Sequence, residues 1–195
     1  MQWGTLVPIS TSGVYVISMN QSPDDGTPPG PVRLSSASVE QLVAGAPRPM
    51  VNKRPAGVPD VIDQLRRNWF EDEPVVYIGL ASRSVRRRIS QFYATPIGAP
   101  RPHAGGWFLK MLDTSRPLWV HASATPGFER AEVDLLDAFV ARLAPSARAE
   151  AADATLPLPF GNLQRERSER KRHGIAGVIR RSRPERANAN SITAG

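Results

Sequence analysis

The chain has 195 residues, 41% of them hydrophobic, which is enough for one compact domain with extensions but too short for two large domains. Its 19 prolines are about twice the average share, so much of the chain is expected to be loop. The chain contains no cysteine, which excludes disulfides and cysteine-ligated zinc. Residues 1–10 lack the pattern of a secretory signal, and no run of about 18 apolar residues occurs. We therefore expect a cytoplasmic protein with no membrane partner.

The positive charge lies near the C-terminus. Residues 165–186 contain nine Lys or Arg and three Glu, so this segment carries +6 of the total net charge of +7. We predict a folded domain at 1–163 and a basic, flexible tail at 164–195. Such a tail suits attraction to phosphate backbones, with Arg170, Lys171 and Arg172 as expected nucleic-acid contacts. A solvated tail without a partner explains the same composition.

The first predicted strand covers residues 13–17, where β-branched and aromatic residues follow a Thr-Ser-Gly turn. An insertion of about 55 residues, at about 20–74, comes next. It is rich in Pro and Gly at 21–31 and 48–59, where we expect loops. We expect this insertion to pack beside the strands as a cover.

Two short helices are predicted within the insertion. One begins at Ser38, which is spaced from Gln41 as in a capping box, and ends before Gly45. The other begins at Asp60 and carries one apolar face.

Residues 75–79 predict a second buried strand, which Gly79 ends. A basic helix follows, capped by Ser82 or Ser84. Its apolar face is formed by Val85, Ile89 and Phe92. Helical spacing places Arg88 beside this face and Arg87 away from it, so Arg88 is the arginine expected to be held against the domain. Arg86 is a further expected nucleic-acid contact.

Three features are predicted after the basic helix. The glycine-rich segment 104–106 can bind a phosphate through its N–H groups, although such glycines more often form a simple turn. Residues 107–112 predict a buried helix, and residues 118–122 predict a third strand.

A long amphipathic helix is predicted at 128–143. Its apolar face consists of Phe128, Ala131, Leu135, Leu136, Phe139 and Leu143. Glu132 falls at the centre of this face, where a carboxylate is costly unless it is paired, hydrogen-bonded or bound to a metal. Glu132 is therefore a candidate site residue, and a structural salt bridge to Arg88 is the alternative explanation.

Gly13-Val14-Tyr15 and Tyr77-Ile78-Gly79 together resemble the two half-motifs of the GIY-YIG nuclease superfamily, with Val in place of the first Ile. The Arg88 helix and the Glu132 helix follow in the superfamily's order. Asn162, after an apolar segment containing prolines, matches the terminal asparagine, although the interval is longer than usual. The resemblance spans residues 13–162 and implies a mixed α/β (α+β) fold, in which helices flank a small, mostly antiparallel three-stranded sheet.

The resemblance also implies a metal-dependent endonuclease acting on DNA. Glu132 would hold Mg²⁺ or another divalent cation such as Mn²⁺, and Arg88 would clamp the phosphate. Tyr15 would take the proton of the attacking water, as a phenolate or through hydrogen bonds, and Tyr77 would orient water or phosphate. Asn162 would support the site by hydrogen bonding.

The chain departs from the superfamily at one position. Phe92 occupies the slot, one helical turn after the arginine, where His or Tyr is common. Tyr93 and His103 are therefore additional candidates. Arg87 is a further candidate, because strict counting from Tyr77 places the superfamily's arginine at that position.

Two other functions fit the same sequence. One is a nucleic-acid-binding module that keeps the fold without catalysis, and the other is a structural protein whose basic tail contacts RNA or an acidic partner. The preference between DNA and RNA and the oligomeric state are left open.

Overall fold

The computed structural model describes residues 1–22, 25–100, 104–113, 116–165 and 169–179. It has the mixed α/β architecture that the sequence predicts. The elements in chain order are β1 (Gly13–Ser18), α1 (Ser36–Ala44), β2 (Met50–Val51), β3 (Arg54–Pro55), α2 (Val58–Arg66), β4 (Val75–Ala81), α3 (Val85–Ala94), β5 (Trp119–Ala124), α4 (Phe128–Arg142), α5 (Pro145–Glu150) and β6 (Ile175–Ala176). Two 3₁₀ turns, Ala104–Trp107 and Leu109–Met111, lie between α3 and β5.

The main sheet contains the three predicted strands in the order β4-β1-β5, and both pairs are antiparallel. In its central strand β1, Tyr15 lies opposite Gly79 on one side and Ala122 on the other. β4, which carries the second tyrosine half-motif, is therefore an edge strand of this sheet.

The sheet is covered on both faces. The larger apolar cluster joins the sheet to α1, α2, α3 and the 3₁₀ turns, and its fully buried members include Ile17, Leu42, Leu65, Phe92 and Phe108. A smaller cluster joins β4 to α4. It consists of Phe70, Ile78, Leu136, Phe139, Leu143 and Leu158. The helices of the insertion thus pack beside the strands and complete the core, as predicted.

The open edge of β4 is closed by a segment that is remote in the chain. The Asn162 side chain accepts a hydrogen bond from Ile78 N at 2.9 Å and donates one to Ile78 O at 2.8 Å. Gly161 N also donates to Val76 O at 2.8 Å. A side-chain amide offers one acceptor and donors, so Asn162 pairs with the β4 backbone as a neighbouring strand would.

The helix ends agree in part with the sequence predictions. Ser84 caps α3 by accepting a hydrogen bond from Arg87 N at 3.2 Å, and Gly45 follows the end of α1. The predicted capping box at Ser38 is wrong, because Ser35 is the cap and accepts from Ser38 N. α2 begins at Val58, before Asp60, whose carboxylate accepts a hydrogen bond from Gly57 N at 2.8 Å.

The predicted helix at 107–112 is wrong. The 3₁₀ turns replace it, and Trp107, Phe108 and Leu109 are all buried there. Gly106 lies against the Phe92 ring, too close for any larger residue. A mostly apolar segment is expected to be buried in any tight turn that it adopts, so its composition predicts its burial better than the type of helix that it forms.

A second small sheet, with the antiparallel order β3-β2-β6, was not predicted. It joins the insertion to residues 169–179, in which Lys171, Ile175 and Val178 are buried. The folded body therefore extends past the predicted boundary at 163, because apolar residues between the basic ones are packed into the core. Residues 166–168 and 180–195 of the predicted tail lie outside the described part of the chain. Within the described part, no helix has the length and apolar character needed to span a bilayer.

Replacing Asn162 by Ala should destabilise the protein by on the order of 2–4 kcal/mol, because it leaves the N–H and C=O of Ile78 buried and unpaired. Chemical denaturation of N162A and wild type would measure this loss. Gln164→Ala is a matched control, since Gln164 is exposed and its change should alter the free energy of unfolding little. Equal destabilisation of both variants would contradict the proposed role of the Asn162 amide.

Candidate functional site

The two tyrosines of the half-motifs lie side by side against Gly79. Their ring centroids are 5.9 Å apart with an interplanar angle of 24°. A Cβ atom at Gly79 would lie 2.6 Å from Tyr77 Cε1 and 2.9 Å from Tyr15 Cζ and Oη. The glycine is therefore needed because two phenol rings occupy the space that a side chain would fill.

Arg88 is the arginine that faces this pair. It is half-buried, and its charge acts on the hydroxyl groups of both Tyr15 and Tyr77. Arg87, one residue earlier, is exposed. The preference for Arg88 over Arg87, which rested on helical register, agrees with this placement.

Glu132 approaches the same group from α4. The backbone of Leu80, near the end of β4, and the charge of Arg88 both act on its carboxylate and favour its ionised form. Burial nevertheless dominates and raises the pKa of Glu132 to about 7. The alternative of a structural salt bridge is not observed, because Arg88 forms no ion pair with any described carboxylate.

A single cavity of about 1040 Å³ connects these groups. Its walls include Tyr77, Arg88, Glu132 and Asn162. Tyr15 does not line the cavity; it is buried beneath it, and only 1% of its surface is exposed. Four of the five predicted catalytic residues thus meet at one cavity, and the fifth packs behind Tyr77.

The hydroxyl of Tyr15 is buried without a well-formed hydrogen bond among the described residues. The Tyr77 hydroxyl and the Arg88 guanidinium are nevertheless close enough to influence it. Burial raises the pKa of Tyr15 well above 10 and raises that of Tyr77 to about 12. Both side chains are therefore neutral phenols at neutral pH, and the shift is opposite to the one that a phenolate base requires.

Several predicted residues lie elsewhere. Tyr93 packs against Trp3, with ring centroids 4.6 Å apart, and does not line the cavity. Arg86 donates to the carbonyls of Val7 and Pro8 at 3.1 and 3.0 Å, so its guanidinium ties the N-terminal segment to α3. His103 lies outside the described residues.

The three predicted basic contacts of the tail differ from one another. Arg170 and Arg172 are exposed. Lys171 is buried, and its ammonium donates to the carbonyls of Leu158 and Pro159 at 3.1 and 3.3 Å. Burial lowers the pKa of Lys171 to about 7. Lys171 therefore has a structural role, because it binds two backbone carbonyls in the interior. Its burial is incompatible with the predicted contact to nucleic acid.

Phe92 is fully buried and packs edge-on against Tyr77, with ring centroids 5.2 Å apart. The slot where the superfamily commonly has His or Tyr is therefore part of the core here.

The cavity wall also contains Glu129 and His173, which were not predicted as site residues. Glu129 precedes Glu132 by about one helical turn on α4 and lines the cavity beside it. His173 accepts a hydrogen bond from Ile175 N through Nδ1 at 3.2 Å, and burial lowers its pKa to about 4. It is therefore a neutral imidazole at neutral pH, with its proton on Nε2. No sequence signal distinguished His173 from its basic neighbours.

Two carboxylates in the cavity wall could bind a divalent cation. The described residues contain no group of three His, Cys, Asp or Glu side chains arranged around one point. Glu132 and Glu129 can supply carboxylate oxygens, and Mg²⁺ commonly uses one or two carboxylates and retains several waters. A cation beside Glu132 would also favour the ionised form that burial disfavours.

No protein-family model, curated protein or solved structure matches this chain.

Gly79→Ala should disturb the tyrosine pair, because the added methyl group overlaps both rings. We expect a loss of about 1–3 kcal/mol in the free energy of unfolding and a change in near-UV circular dichroism from the displaced tyrosines. Gly26→Ala is the control, since no atom lies within 4 Å of a Cβ built there. Unchanged stability and spectra in G79A would show that the rings tolerate the methyl group.

Proposed function

We propose that this protein is a metal-dependent endonuclease that hydrolyses phosphodiester bonds in DNA, as the GIY-YIG resemblance implies. The observation that supports this most is that Tyr77 and Arg88 meet the more distant Glu132 at one cavity. The mutual electrostatic influence of these three side chains indicates that they act on a common space.

Arg88 is suited to bind the phosphate. Its planar guanidinium presents a fork of donors that matches two phosphate oxygens, and no described carboxylate neutralises it directly. In a half-buried position its charge is screened less than in water. It can therefore stabilise the charge that develops on the phosphate in the transition state.

Glu132 would hold the cation, and Glu129 could contribute a second carboxylate or bind a coordinated water. A divalent cation, when bound, supplies positive charge beside the phosphate and lowers the pKa of water. In hydrolysis the water oxygen bonds to phosphorus and releases a proton to solvent, one P–O ester bond breaks, and the leaving oxygen takes up a proton from solvent.

The tyrosines have different roles in this proposal. Tyr77 lines the cavity, so its neutral hydroxyl can orient the attacking water or a phosphate oxygen by hydrogen bonding. Tyr15 is a positioning residue that supports the Tyr77 ring from behind. Asn162 acts through β4, since both ends of its amide are bound to the backbone of Ile78.

A non-catalytic nucleic-acid-binding module is the second candidate. It is favoured by Phe92, because a phenyl ring in the core cannot exchange a proton with substrate as His or Tyr could.

Glu132→Gln and Arg88→Ala should each reduce DNA cleavage by at least about 10²-fold, since each removes a charge that acts in the transition state. Plasmid nicking with Mg²⁺ or Mn²⁺, monitored under single-turnover conditions, measures this loss. Arg87→Ala is the matched control, because Arg87 is the exposed neighbour on the same helix and its change should alter cleavage little. DNA binding without cleavage by wild type in either cation would favour the non-catalytic module.

Cleavage should depend on pH through Glu132. Its pKa of about 7 means that the carboxyl group is protonated below that pH and binds a cation poorly. At limiting Mg²⁺ the rate should rise as pH increases through about 7, and excess Mg²⁺ should move the midpoint to lower pH by competing with the proton. A midpoint that does not move with the Mg²⁺ concentration would assign the titration to another group.

A further inference from the structure

The insertion contains an exposed hairpin with an uncommon turn. β2 and β3 are joined by Asn52 and Lys53, whose φ angles are 49° and 68°. Two consecutive positive φ values are typical of the tight type I′ hairpin, which usually contains glycine. A positive φ is energetically unfavourable for lysine. Its presence at this position therefore suggests that its side chain has a function.

The hairpin is attached to the wall of the catalytic cavity. β2 pairs with β6, whose two residues Ile175 and Ala176 both line that cavity. At the turn, Asn52 N donates to Gly174 O at 2.8 Å. The hairpin is therefore a continuation of the cavity wall and its position relative to that wall is set by backbone pairing.

The exposed surface around this second sheet is basic. Arg48, Lys53, Arg54 and Arg172 are all exposed. Within the described ranges, none of them forms an ion pair. The nearby acidic residue Asp60 is engaged in capping α2 through Gly57 N. The positive charge of the hairpin is thus available to a partner in solution.

We propose that the β2–β3 hairpin is a DNA clamp, in which Lys53 and Arg54 bind backbone phosphates of the duplex whose scissile phosphate lies at Arg88. This inference rests on the proposed nuclease function. It assigns a role to the insertion, which otherwise serves only to cover the core.

Simple dimensions support this arrangement. Neighbouring strands lie about 4.8 Å apart, so β3 is about 10 Å from β6 at the cavity wall. Successive nucleotides of one strand are about 3.4 Å apart along the duplex axis, so the hairpin reaches phosphates about three nucleotides beyond that wall. A two-stranded ribbon is also narrow enough to lie along a DNA groove.

The decisive measurement is DNA binding rather than cleavage. In an inactive Glu132→Gln background, the double variant K53A/R54A should bind a fluorescently labelled duplex roughly tenfold to a hundredfold more weakly at about 0.1 M salt. The slope of log K against log salt concentration should fall by about 2, because each lost phosphate contact removes nearly one unit. Fluorescence anisotropy over a salt series gives both quantities.

The control is R33A/R67A in the same background. Arg33 and Arg67 are exposed, neither lines the cavity, and neither forms an ion pair with a described residue. Removing them lowers the net charge equally, so affinity and slope should remain near those of the parent. An equal loss in both double variants would overturn the clamp and assign the effect to net charge alone.

The remaining outcomes separate the two proposals. In the active protein, K53A/R54A should raise KM and leave kcat unchanged. Cleavage by wild type with unchanged DNA affinity and slope in K53A/R54A would overturn the clamp and leave the nuclease. Loss of affinity in K53A/R54A without cleavage by wild type would overturn the nuclease and leave the clamp. If K53A/R54A unfolds at a lower temperature than the parent, K53Q/R54Q, which keeps side-chain length and polarity, provides the same comparison.

Discussion

The pairing of Asn162 with the backbone of β4 is the interaction on which the rest of the site depends. It closes the exposed edge of the sheet with a segment more than 80 residues away in the chain. The segment that carries Asn162 and much of 170–179 line the cavity together with Tyr77. An unpaired edge would leave both polar groups of Ile78 buried without partners, so folding of the sheet and assembly of the cavity are coupled.

Burial determines the chemistry of this cavity more than direct ion pairing does. Desolvation is the largest cause of the raised pKa values of Tyr15, Tyr77 and Glu132. Arg88 opposes all three shifts without reversing them. In such surroundings added positive charge has a greater effect than in water. This supports the proposed use of a divalent cation, and it explains why the tyrosines are better suited to orient water than to remove its proton.

The folded C-terminal segment combines two kinds of basic residue. Lys171 is buried and holds backbone carbonyls, whereas Arg170 and Arg172 remain exposed. His173 lies between these groups as a neutral imidazole in the cavity wall. Because β6 pairs with β2, this segment also joins the cavity to the hairpin of the insertion. The wall of the proposed site and its proposed DNA clamp are therefore parts of one small sheet.

The sequence by itself determined the three strands of the main sheet, the amphipathic helices α3 and α4, and which side of these helices carries Arg88 and Glu132, because these depend on the residue pattern within one element. It could not determine the second sheet, whose two-residue strands carry no periodic pattern, or the burial of Lys171 within a basic run. Tertiary structure alone decided that Phe92 belongs to the core, that Tyr15 lies beneath the cavity and that His173 lines it. These outcomes depend on contacts between remote segments, and local spacing contains no information about which segments meet.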